Sequence, residues 1–276
     1  MILLIGRNGN LSKAIQYYFS SENLHVVGSD VANQWVTSTS NEDIEVYLDN
    51  LKEKPTIVLY ASGIIDPNAP LKDLLNINFN LPRMLEEISF KRNFKLVTFG
   101  TIMEKFDAIS ESNPYIFSKR QYLDYLLQSG HSKSNSLHLQ IHTWYGGENL
   151  KPFMFLGQMY SAIQKREIFR MSSGGQLREY HHVYDDLNVL KFLLSVDANG
   201  VIEMNHGETV SLRALAEYVF SNFDLSNLLQ IGALPSPDQE IFRIEYAPSG
   251  PLKVENFRKT LPGVVEYFNF LEGKQR

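Results

Sequence analysis

Tyr115 and Lys119 are four residues apart in the segment 113–119, which reads NPYIFSK. At the start of a helix, residues with this spacing lie on one face, one turn apart. A phenol has a pKa of about 10 in water and is a poor acid or base at neutral pH. A neighbouring ammonium group favours the phenolate and lowers that pKa. The pair therefore predicts a tyrosine that exchanges protons with a substrate.

Thr101 is the third residue of this predicted catalytic site. It follows the run 94–99, whose apolar and β-branched residues predict a strand. Thr101 is thus expected at the carboxyl end of that strand, where open α/β sheets bind ligands. Its hydroxyl can donate a hydrogen bond to a carbonyl oxygen of a substrate. The Tyr-x-x-x-Lys spacing also occurs in helices that only pack against a neighbour, and this alternative stays open on spacing alone.

A glycine-rich turn near the first residue predicts a phosphate-binding loop. Gly6, Gly9 and Ser12 stand between the apolar run 2–5 and a helical pattern. A tight turn from strand to helix needs residues without a Cβ, and the free N–H groups of the helix attract a pyrophosphate. An ordinary β–α turn can carry the same glycines, so the position directly after a buried strand is what favours the binding loop.

Asp30 predicts which dinucleotide is bound. It follows the second predicted strand, 25–27, about 20 residues beyond the loop, where an acid accepts hydrogen bonds from the adenosine ribose hydroxyls. A carboxylate repels a 2′-phosphate, which favours NAD(H). Arg7 in the glycine loop offers a guanidinium to such a phosphate, so NADP(H) is the alternative. A solvated or helix-capping role for Asp30 also stays open.

Strand and helix patterns alternate through the first half of the chain. Runs of apolar and β-branched residues predict strands at 2–5, 25–27, 56–60, 94–99 and 137–141. Apolar residues at helical spacing predict helices at 11–19, 43–51, 71–88 and 115–127. This rhythm predicts an α/β fold with a doubly wound parallel sheet of the Rossmann type.

The rhythm ends after about residue 144, where Gly146, Gly147 and Pro152 interrupt it. A helix is expected at 153–165, followed by short strands and helices. The predicted dinucleotide-binding domain covers residues 1–145 and about 181–198. A smaller mixed α/β subdomain for the substrate is predicted to cover about 146–180 and 199–276.

The composition favours a soluble globular protein and excludes several classes of function. Of 276 residues, 43% are hydrophobic and 21% charged, with a net charge of −5. No long Lys/Arg run is present, so neither a nucleic acid nor a membrane is an expected partner. The absence of cysteine excludes disulfides and cysteine nucleophiles. The N-terminal apolar run is too short for a signal peptide, so a cytoplasmic location is expected.

These motifs together resemble the extended short-chain dehydrogenases/reductases, a family that modifies nucleotide-linked sugars. The glycine loop is similar to the Gly-x-x-Gly-x-Leu start of the family's reductase branch. The segment 61–63 (ASG) matches the small-residue turn after the family's fourth strand, and 78–85 (NFNLPRML) matches its Asn-x-x-x-Pro-x-x-Leu helix. The segment 144–146 (WYG) corresponds to its Val-Tyr-Gly.

The resemblance implies roles for individual residues. Thr101, Tyr115 and Lys119 occupy the places of the catalytic Ser/Thr, Tyr and Lys. The residues expected to bind the dinucleotide are Gly6, Arg7, Asn8, Gly9, Asn10, Leu11, Asp30, Ala61, Ser62, Gly63, Asn78, Tyr115 and Lys119.

A second matching segment, 175–186 (GQLREYHHVYDD), resembles the family's Gly-x-x-x-Arg-Asp-x-x-His-Val-x-Asp. In the family this arginine contacts the substrate's nucleotide diphosphate, so Arg178 is the expected pyrophosphate ligand, with Thr143 as a further substrate contact. His182 and Asp186 are expected to be structural hydrogen-bonding residues. No metal site is expected, because His181 and His182 have no partner carboxylate or histidine at metal-ligand spacing.

Two residue patterns of the family are absent after Thr101, and their absence narrows the choice of reaction. The family's 4,6-dehydratases carry Asp-Glu directly after the catalytic threonine, whereas this chain has Ile102 and Met103, with Glu104 one position late. The epimerase–reductases that make GDP-fucose use a cysteine at the place of Met103. The resemblance therefore favours an NAD(P)H-dependent reductase of a nucleotide-linked 4-keto-6-deoxy sugar, of the dTDP-4-dehydrorhamnose reductase type, in surface polysaccharide biosynthesis.

In that reaction hydride is delivered to C4, Tyr115 donates the proton and Thr101 polarises the carbonyl, while Lys119 lowers the tyrosine pKa and holds the ribose. Two alternatives stay open: a C4 epimerase that retains its NAD, and a non-catalytic NAD(P)-binding sensor or regulatory protein. A homodimer through the helix at 115–127 is compatible with that helix's apolar face. The gap between Thr101 and Tyr115 is shorter than is usual in the extended members of the family. The resemblance therefore does not predict which of residues 103–113 contact the substrate.

Overall fold

The computed structural model describes residues 1–38, 40–128, 135–148, 150–236 and 257–275. The chain divides into two units. The first contains Met1–Ile141 and Leu190–Met204, and the second contains His142–Val189 and Asn205–Arg276.

The first unit is built on one sheet of six parallel strands. These are β1 (Ile2–Ile5), β2 (Leu24–Val27), β3 (Ile57–Tyr60), β4 (Lys95–Thr101), β5 (Ser136–Ile141) and β10 (Gly200–Met204). Their order across the sheet is β10-β5-β4-β3-β1-β2, and every pair of neighbours is parallel. The winding reverses between β1 and β3, so the loops after these strands lie at the topological switch point, where such sheets bind ligands.

Helices connect the strands of this unit. They are α1 (Asn10–Tyr18), α2 (Ser29–Ser38), α3 (Asn41–Asp49), α4 (Leu71–Leu75), α5 (Leu81–Arg92), α6 (Asp107–Ser112) and α7 (Pro114–Gln128). A π-helical turn, Asn76–Asn80, joins α4 to α5, and a 3-10 turn, Ile102–Lys105, follows β4. The central strand β1 has Leu3, Leu4 and Ile5 fully buried, as expected for a strand covered on both faces.

The second unit is smaller and mixes helices with short strand pairs. Its elements are β6 (Thr143–Tyr145), α8 (Phe155–Lys165), β7 (Phe169–Met171), β8 (Leu177–Arg178), β9 (Tyr180–His182), β11 (Val210–Ser211), α10 (Leu212–Asn222), β12 (Leu229–Ile231) and α11 (Thr260–Gln275). Strand β6 pairs with β9 and β7 with β12 in parallel, while β8 and β11 are antiparallel. Aromatic rings fill its core, with Phe169 stacked on Phe220 at 5.6 Å.

The predicted α/β class and the five predicted strands are confirmed, and three features differ. Helix α2 was not predicted, because its polar sequence SDVANQWVTS buries only Trp35. The turn 61–63 follows the third strand, not a fourth, since two helices connect β2 to β3. The domain boundary expected at 199 is wrong, because β10 pairs with β5 in the central sheet.

One further helix, α9 (Val183–Ser195), begins in the second unit and ends in the first. The unit boundary at His142 also lies a few residues before the predicted one. Residues 237–256 of the predicted subdomain lie outside the described residues. Among the helices that the structure describes, none has the length and apolar character needed to cross a membrane.

Candidate active site

The start of α7 presents Tyr115 and Lys119. The side chain of Asn113 caps the helix, because its Oδ1 accepts hydrogen bonds from the N–H groups of Tyr115 at 3.0 Å and Ile116 at 3.2 Å. Pro114 is the first helical residue, a position where its missing N–H costs nothing. The Asn-Pro pair in the sequence is thus a helix-start signal that fixes Tyr115 in the first turn.

Thr101 and Tyr115 meet at the carboxyl end of β4. Thr101 is the last residue of that strand, and its side chain acts to lower the pKa of the Tyr115 phenol. The Thr101 Oγ1 also accepts the N–H of Met103 at 3.3 Å. Since that contact uses a lone pair of Oγ1, the hydroxyl hydrogen remains free to be donated to the phenol or to a substrate oxygen.

Lys119 lies beside them and is buried, with 9% of its surface exposed. Its Nζ donates a hydrogen bond to the carbonyl of Phe99 at 2.8 Å. Nζ also lies next to Gly63, where a Cβ would be 3.7 Å from it. Burial lowers the pKa of Lys119 to about 8, and the charge of Glu104 opposes this shift.

The pKa of the Tyr115 phenol is raised, which corrects the prediction that Lys119 lowers it. Burial is the larger cause and the negative charge of Glu104 adds to it, while the hydrogen bond with Thr101 acts in the opposite direction. Lys119 Nζ bonds to the Phe99 carbonyl and is not among the causes of the shift in the Tyr115 pKa. Tyr115 therefore keeps its proton at neutral pH.

The buried side-chain amide of Asn78 joins the segment after β3 to helix α7. Asn78, in the π-helical turn, donates to the carbonyl of Ile64 and to Ser118 Oγ, both at 2.9 Å. Its Oδ1 accepts the N–H of Ile64 at 3.2 Å. Because both amide hydrogens bond within the protein, a cofactor contact is limited to Oδ1. Ser118 was not singled out from the sequence, although it directly precedes Lys119.

The glycine loop is built as a close approach between two turns. Gly6 has φ +114°, and a Cβ there would lie 2.9 Å from backbone atoms of Ala61 and Ser62. Only glycine fits this position. Ser12 is buried and donates from Oγ to the carbonyl of Ala61 at 3.3 Å. The small residues after β1 and β3 are therefore required by packing at the switch point.

The start of α1 is open to an anion. Gly9 is its N-cap and supplies no side-chain hydrogen bond to the first turn, and no acidic residue lies there. Arg7, Asn8 and Gly9 are exposed, and Asn10 and Leu11 are partly exposed. Free N–H groups at a helix start are a suitable site for a pyrophosphate, so this loop can hold a dinucleotide.

Asp30 lies in the first turn of α2, directly after the end of β2, where the sequence predicted it. Strand β2 ends at Val27 and α2 begins at Ser29, so the exposed carboxylate still lies at the carboxyl end of β2. A Cβ on Gly28 would be 2.6 Å from Asp30 Oδ1. The absence of a side chain at Gly28 thus lets the carboxylate fold back over the strand end.

The two predicted substrate residues lie in the second unit. Arg178 is in β8, opposite Val210 of β11, and its Nη1 donates to the carbonyl of Leu177 at 2.8 Å. The N–H of Thr143 donates to the carbonyl of Glu179 at 3.1 Å. The backbone of Thr143 is therefore tied to the residue that follows Arg178.

A cluster of buried titratable groups surrounds His181. The reason given above for expecting no metal is therefore wrong, since His181 does have nearby carboxylates and a histidine. One ligand atom each from His142, Glu179 and His181 lie within 4.8 Å of one another. His181 does have carboxylate partners: its Nε2 is 3.0 Å from Glu179 and its Nδ1 is 2.8 Å from Asp186. His142 lies far from Glu179 and His181 in the sequence, so spacing alone does not predict this cluster.

The surroundings of His181 are those of a buried ion pair. Burial alone lowers its pKa, but Asp186 and Glu179 outweigh burial and raise it to about 9. Both ring nitrogens are engaged with carboxylates, so neither offers a lone pair to a metal. Asp186 also accepts from Trp144 Nε1, and His182 Nδ1 accepts the N–H of Tyr184 at 3.3 Å. The structural roles expected of His182 and Asp186 are confirmed.

Similarity to solved structures supports the fold. UDP-N-acetylglucosamine 4-epimerase from Methanobrevibacter ruminantium M1, solved with UDP-N-acetylmuramic acid, is 16% identical with a TM-score of 0.77, covering 100% of this chain and 98% of that chain. The dTDP-4-dehydrorhamnose reductase from Bacillus anthracis, solved with NADP, is 15% identical with a TM-score of 0.75, covering 98% of each. The dTDP-glucose 4,6-dehydratase from Bacillus anthracis, solved with NAD, is 13% identical with a TM-score of 0.73, covering 99% and 97%.

No protein-family model matches the sequence, and no curated protein matches it. At 13% to 16% identity, the similarity establishes the Rossmann-type fold of the chain. The three enzymes named catalyse an epimerisation, a reduction and an elimination on the same fold, so the choice of reaction depends on the site.

Proposed function

We propose that the protein is an NAD(P)-dependent oxidoreductase acting on a nucleotide-linked sugar, and specifically a reductase of a 4-keto-6-deoxy sugar. The observation that carries this proposal is that Thr101 ends β4 while the first turns of α7 hold Tyr115 and Lys119, whose Nζ bonds to the carbonyl of Phe99 in β4. Reduction of a ketone needs a proton donor at the carbonyl oxygen, and the protonated phenol of Tyr115 is our candidate for that donor.

The reaction can be written with the residues of this site. When bound, NAD(P)H would supply the hydride that the carbonyl carbon accepts. Thr101 donates a hydrogen bond to the carbonyl oxygen, and Tyr115 then gives that oxygen its proton, so that the ketone becomes a secondary alcohol. Tyr115 recovers a proton from water. The role proposed for Lys119, whose Nζ lies between the Phe99 carbonyl and Gly63, is to hold the cofactor ribose.

The position of Glu104 argues against elimination chemistry. Elimination needs an acid and a base that reach the substrate, whereas the Glu104 side chain is fully buried and bonded to His138 and Gln140. The buried position of Glu104 therefore favours hydride transfer over elimination.

The cofactor is assigned to the glycine loop and Asp30. The open start of α1 suits the pyrophosphate, and the exposed carboxylate suits the adenosine ribose, so NAD(H) is favoured and NADP(H) is the alternative. Two of the enzymes similar in fold were solved with NAD or NADP. Arg178 and Thr143 are proposed to bind the nucleotide diphosphate of the substrate.

The test is oxidation of NADH or NADPH by a panel of nucleotide-linked 4-keto sugars, with the Tyr115→Phe variant beside the wild type. Removal of the proton donor should lower kcat by about 10²- to 10⁴-fold. Tyr122→Phe is the matched control, since it removes a phenolic hydroxyl from the same helix in the buried core and should retain activity. Equal turnover by Tyr115→Phe and the wild type would contradict the assignment.

The same purified protein separates the two alternatives. A C4 epimerase would carry tightly held NAD through purification and interconvert sugars without net oxidation of added NADH. Binding of NAD(P)H with no turnover of any sugar in the panel would favour the sensor. A reductase must release its oxidised cofactor, so it should purify largely free of dinucleotide.

A further inference from the structure

Glu104 is a charged side chain that the proposed reaction does not use. It follows Thr101 by three residues, in the 3-10 turn after β4, and 0% of its surface is exposed. A carboxylate removed from water in this way is costly unless several donors compensate it. Its surroundings therefore show what holds it there.

Two side chains of strand β5 lie against the carboxylate of Glu104. Its Oε1 is 2.9 Å from His138 Nε2 and accepts from Gln140 Nε2 at 3.1 Å, and both residues belong to β5. His138 Nδ1 in turn lies 2.8 Å from Thr98 Oγ1. Gly100 makes the approach possible, because a Cβ there would lie 2.4 Å from both Glu104 Oε1 and His138 Nε2.

The same carboxylate fixes the turn that presents Thr101. Its Oε2 accepts the N–H of Thr101 at 3.4 Å while Thr101 Oγ1 accepts the N–H of Met103, which completes a capping box. The Glu104 carbonyl accepts from Arg120 Nη1 at 3.1 Å, which ties the turn to α7. The position of the Thr101 hydroxyl relative to the helix that carries Tyr115 thus depends on Glu104.

We propose that Glu104 is a positioning residue of the Thr101–Tyr115–Lys119 site, which fixes the Thr101 turn and places a buried negative charge beside Tyr115 and Lys119. This inference rests on the proposed reductase function, because the placement of Thr101 and Lys119 affects turnover only where that site is catalytic. The charged and titratable groups that face Glu104 are His138 from β5 and Tyr115, Lys119 and Arg120 from α7.

The sign of the effect follows from the charges. A nearby negative charge disfavours a phenolate and favours an ammonium, so it raises the pKa of both Tyr115 and Lys119. Neutralising Glu104 should therefore lower both pKa values together. A change that merely loosened the packing around the site would let in water and move the pKa of Tyr115 down and that of Lys119 up.

The experiment measures the titration of Lys119 in Glu104→Gln, using lysine labelled at its ε-carbon and NMR of the protein without substrate. The pKa of Lys119 is about 8 in the wild type and should fall by about one unit in the variant. Glu86→Gln is the matched control: Glu86 is a buried carboxylate that bonds to Ser136, and its loss should leave the Lys119 titration in place.

In the reductase assay, kcat is measured as a function of pH. The pH at which kcat falls on the alkaline side should be lower in Glu104→Gln than in the wild type by about one unit. Glu104→Asp keeps the charge on a shorter side chain and should retain the wild-type limb with a lower kcat. This variant serves if Glu104→Gln does not fold. A limb that moves to lower pH in Glu104→Asp would overturn the proposal.

The two measurements separate this inference from the proposed function. A shifted Lys119 titration with no reductase activity would support the charge effect and refute the reductase. A reductase whose Lys119 titration and pH profile are unchanged in Glu104→Gln would refute the role of Glu104 and leave the reductase standing.

Discussion

Replacing Gly6 with alanine tests the argument that the two turns at the switch point require this glycine. A non-glycine residue at φ +114° costs about 1–3 kcal/mol in backbone strain. The new methyl would also lie 2.9 Å from the Ala61 carbonyl carbon and the Ser62 nitrogen, which are backbone atoms that cannot rotate away. Forcing a methyl into such a packed place costs about 1–3 kcal/mol more.

We therefore expect Gly6→Ala to lower the free energy of unfolding by about 2–6 kcal/mol. For a unit of this size, each 1 kcal/mol corresponds to roughly 2–4 °C, so the melting temperature should fall by at least about 4 °C. The assay is thermal unfolding of the variant without cofactor, followed by circular dichroism, so that stability is measured apart from binding.

Gly9→Ala is the control for this measurement. Gly9 has φ −71° and ψ 155°, and a Cβ there would meet only Ser12 Oγ, at 3.6 Å. Alanine fits that backbone, so the free energy of unfolding should change by less than about 1 kcal/mol. Its methyl would, however, occupy the proposed pyrophosphate site and should weaken NADH binding at least about tenfold. Equal melting temperatures for the two variants would refute the reasoning.

Two further predictions concern charge. Asp30→Asn should reduce the preference for NADH over NADPH by about tenfold to a hundredfold, because a charge-assisted hydrogen bond to the ribose is worth about 1.5–3 kcal/mol. An unchanged ratio of dissociation constants in fluorescence titrations would contradict this role. The raised pKa of His181 contributes stability that is fully present below its unfolded pKa of 6.5 and is lost as pH rises through about 9. Between these values the wild type should lose on the order of 3 kcal/mol relative to His181→Gln in urea unfolding, and parallel pH curves for the two proteins would count against the ion pair.

The sequence predicted the parts of the site that depend on local pattern. Gly6 after a buried strand, and Tyr115 and Lys119 one turn apart behind an Asn-Pro helix start, are signals contained within a few residues. Their assembly with Thr101 then follows from the parallel sheet, because carboxyl ends of neighbouring strands share one edge. The fold class was predictable for the same reason.

The features that the sequence did not predict depend on partners far apart in the chain. Glu104 was noted only as an acid at the wrong place for elimination, since its partners His138 and Gln140 come more than thirty residues later, on the neighbouring strand. The pKa of Tyr115 was predicted in the wrong direction because burial and the charge of Glu104, which the Tyr-x-x-x-Lys spacing does not report, both raise it. His142 likewise joins Glu179 and His181 only through the fold.

Strand β10 belongs to the central sheet but is the last of its strands in the sequence, and this order affects how the chain folds during synthesis. Strand β5 has β4 on one side and receives its other neighbour only when residues 200–204 have been made. Lys95, at the start of β4, also bonds to Ala198 and Asn199 just before that strand. A nascent or truncated chain that ends before residue 200 would leave the backbone of an apolar strand exposed, and such an edge readily pairs with other chains. Deletion from this point should give aggregates rather than a smaller folded protein.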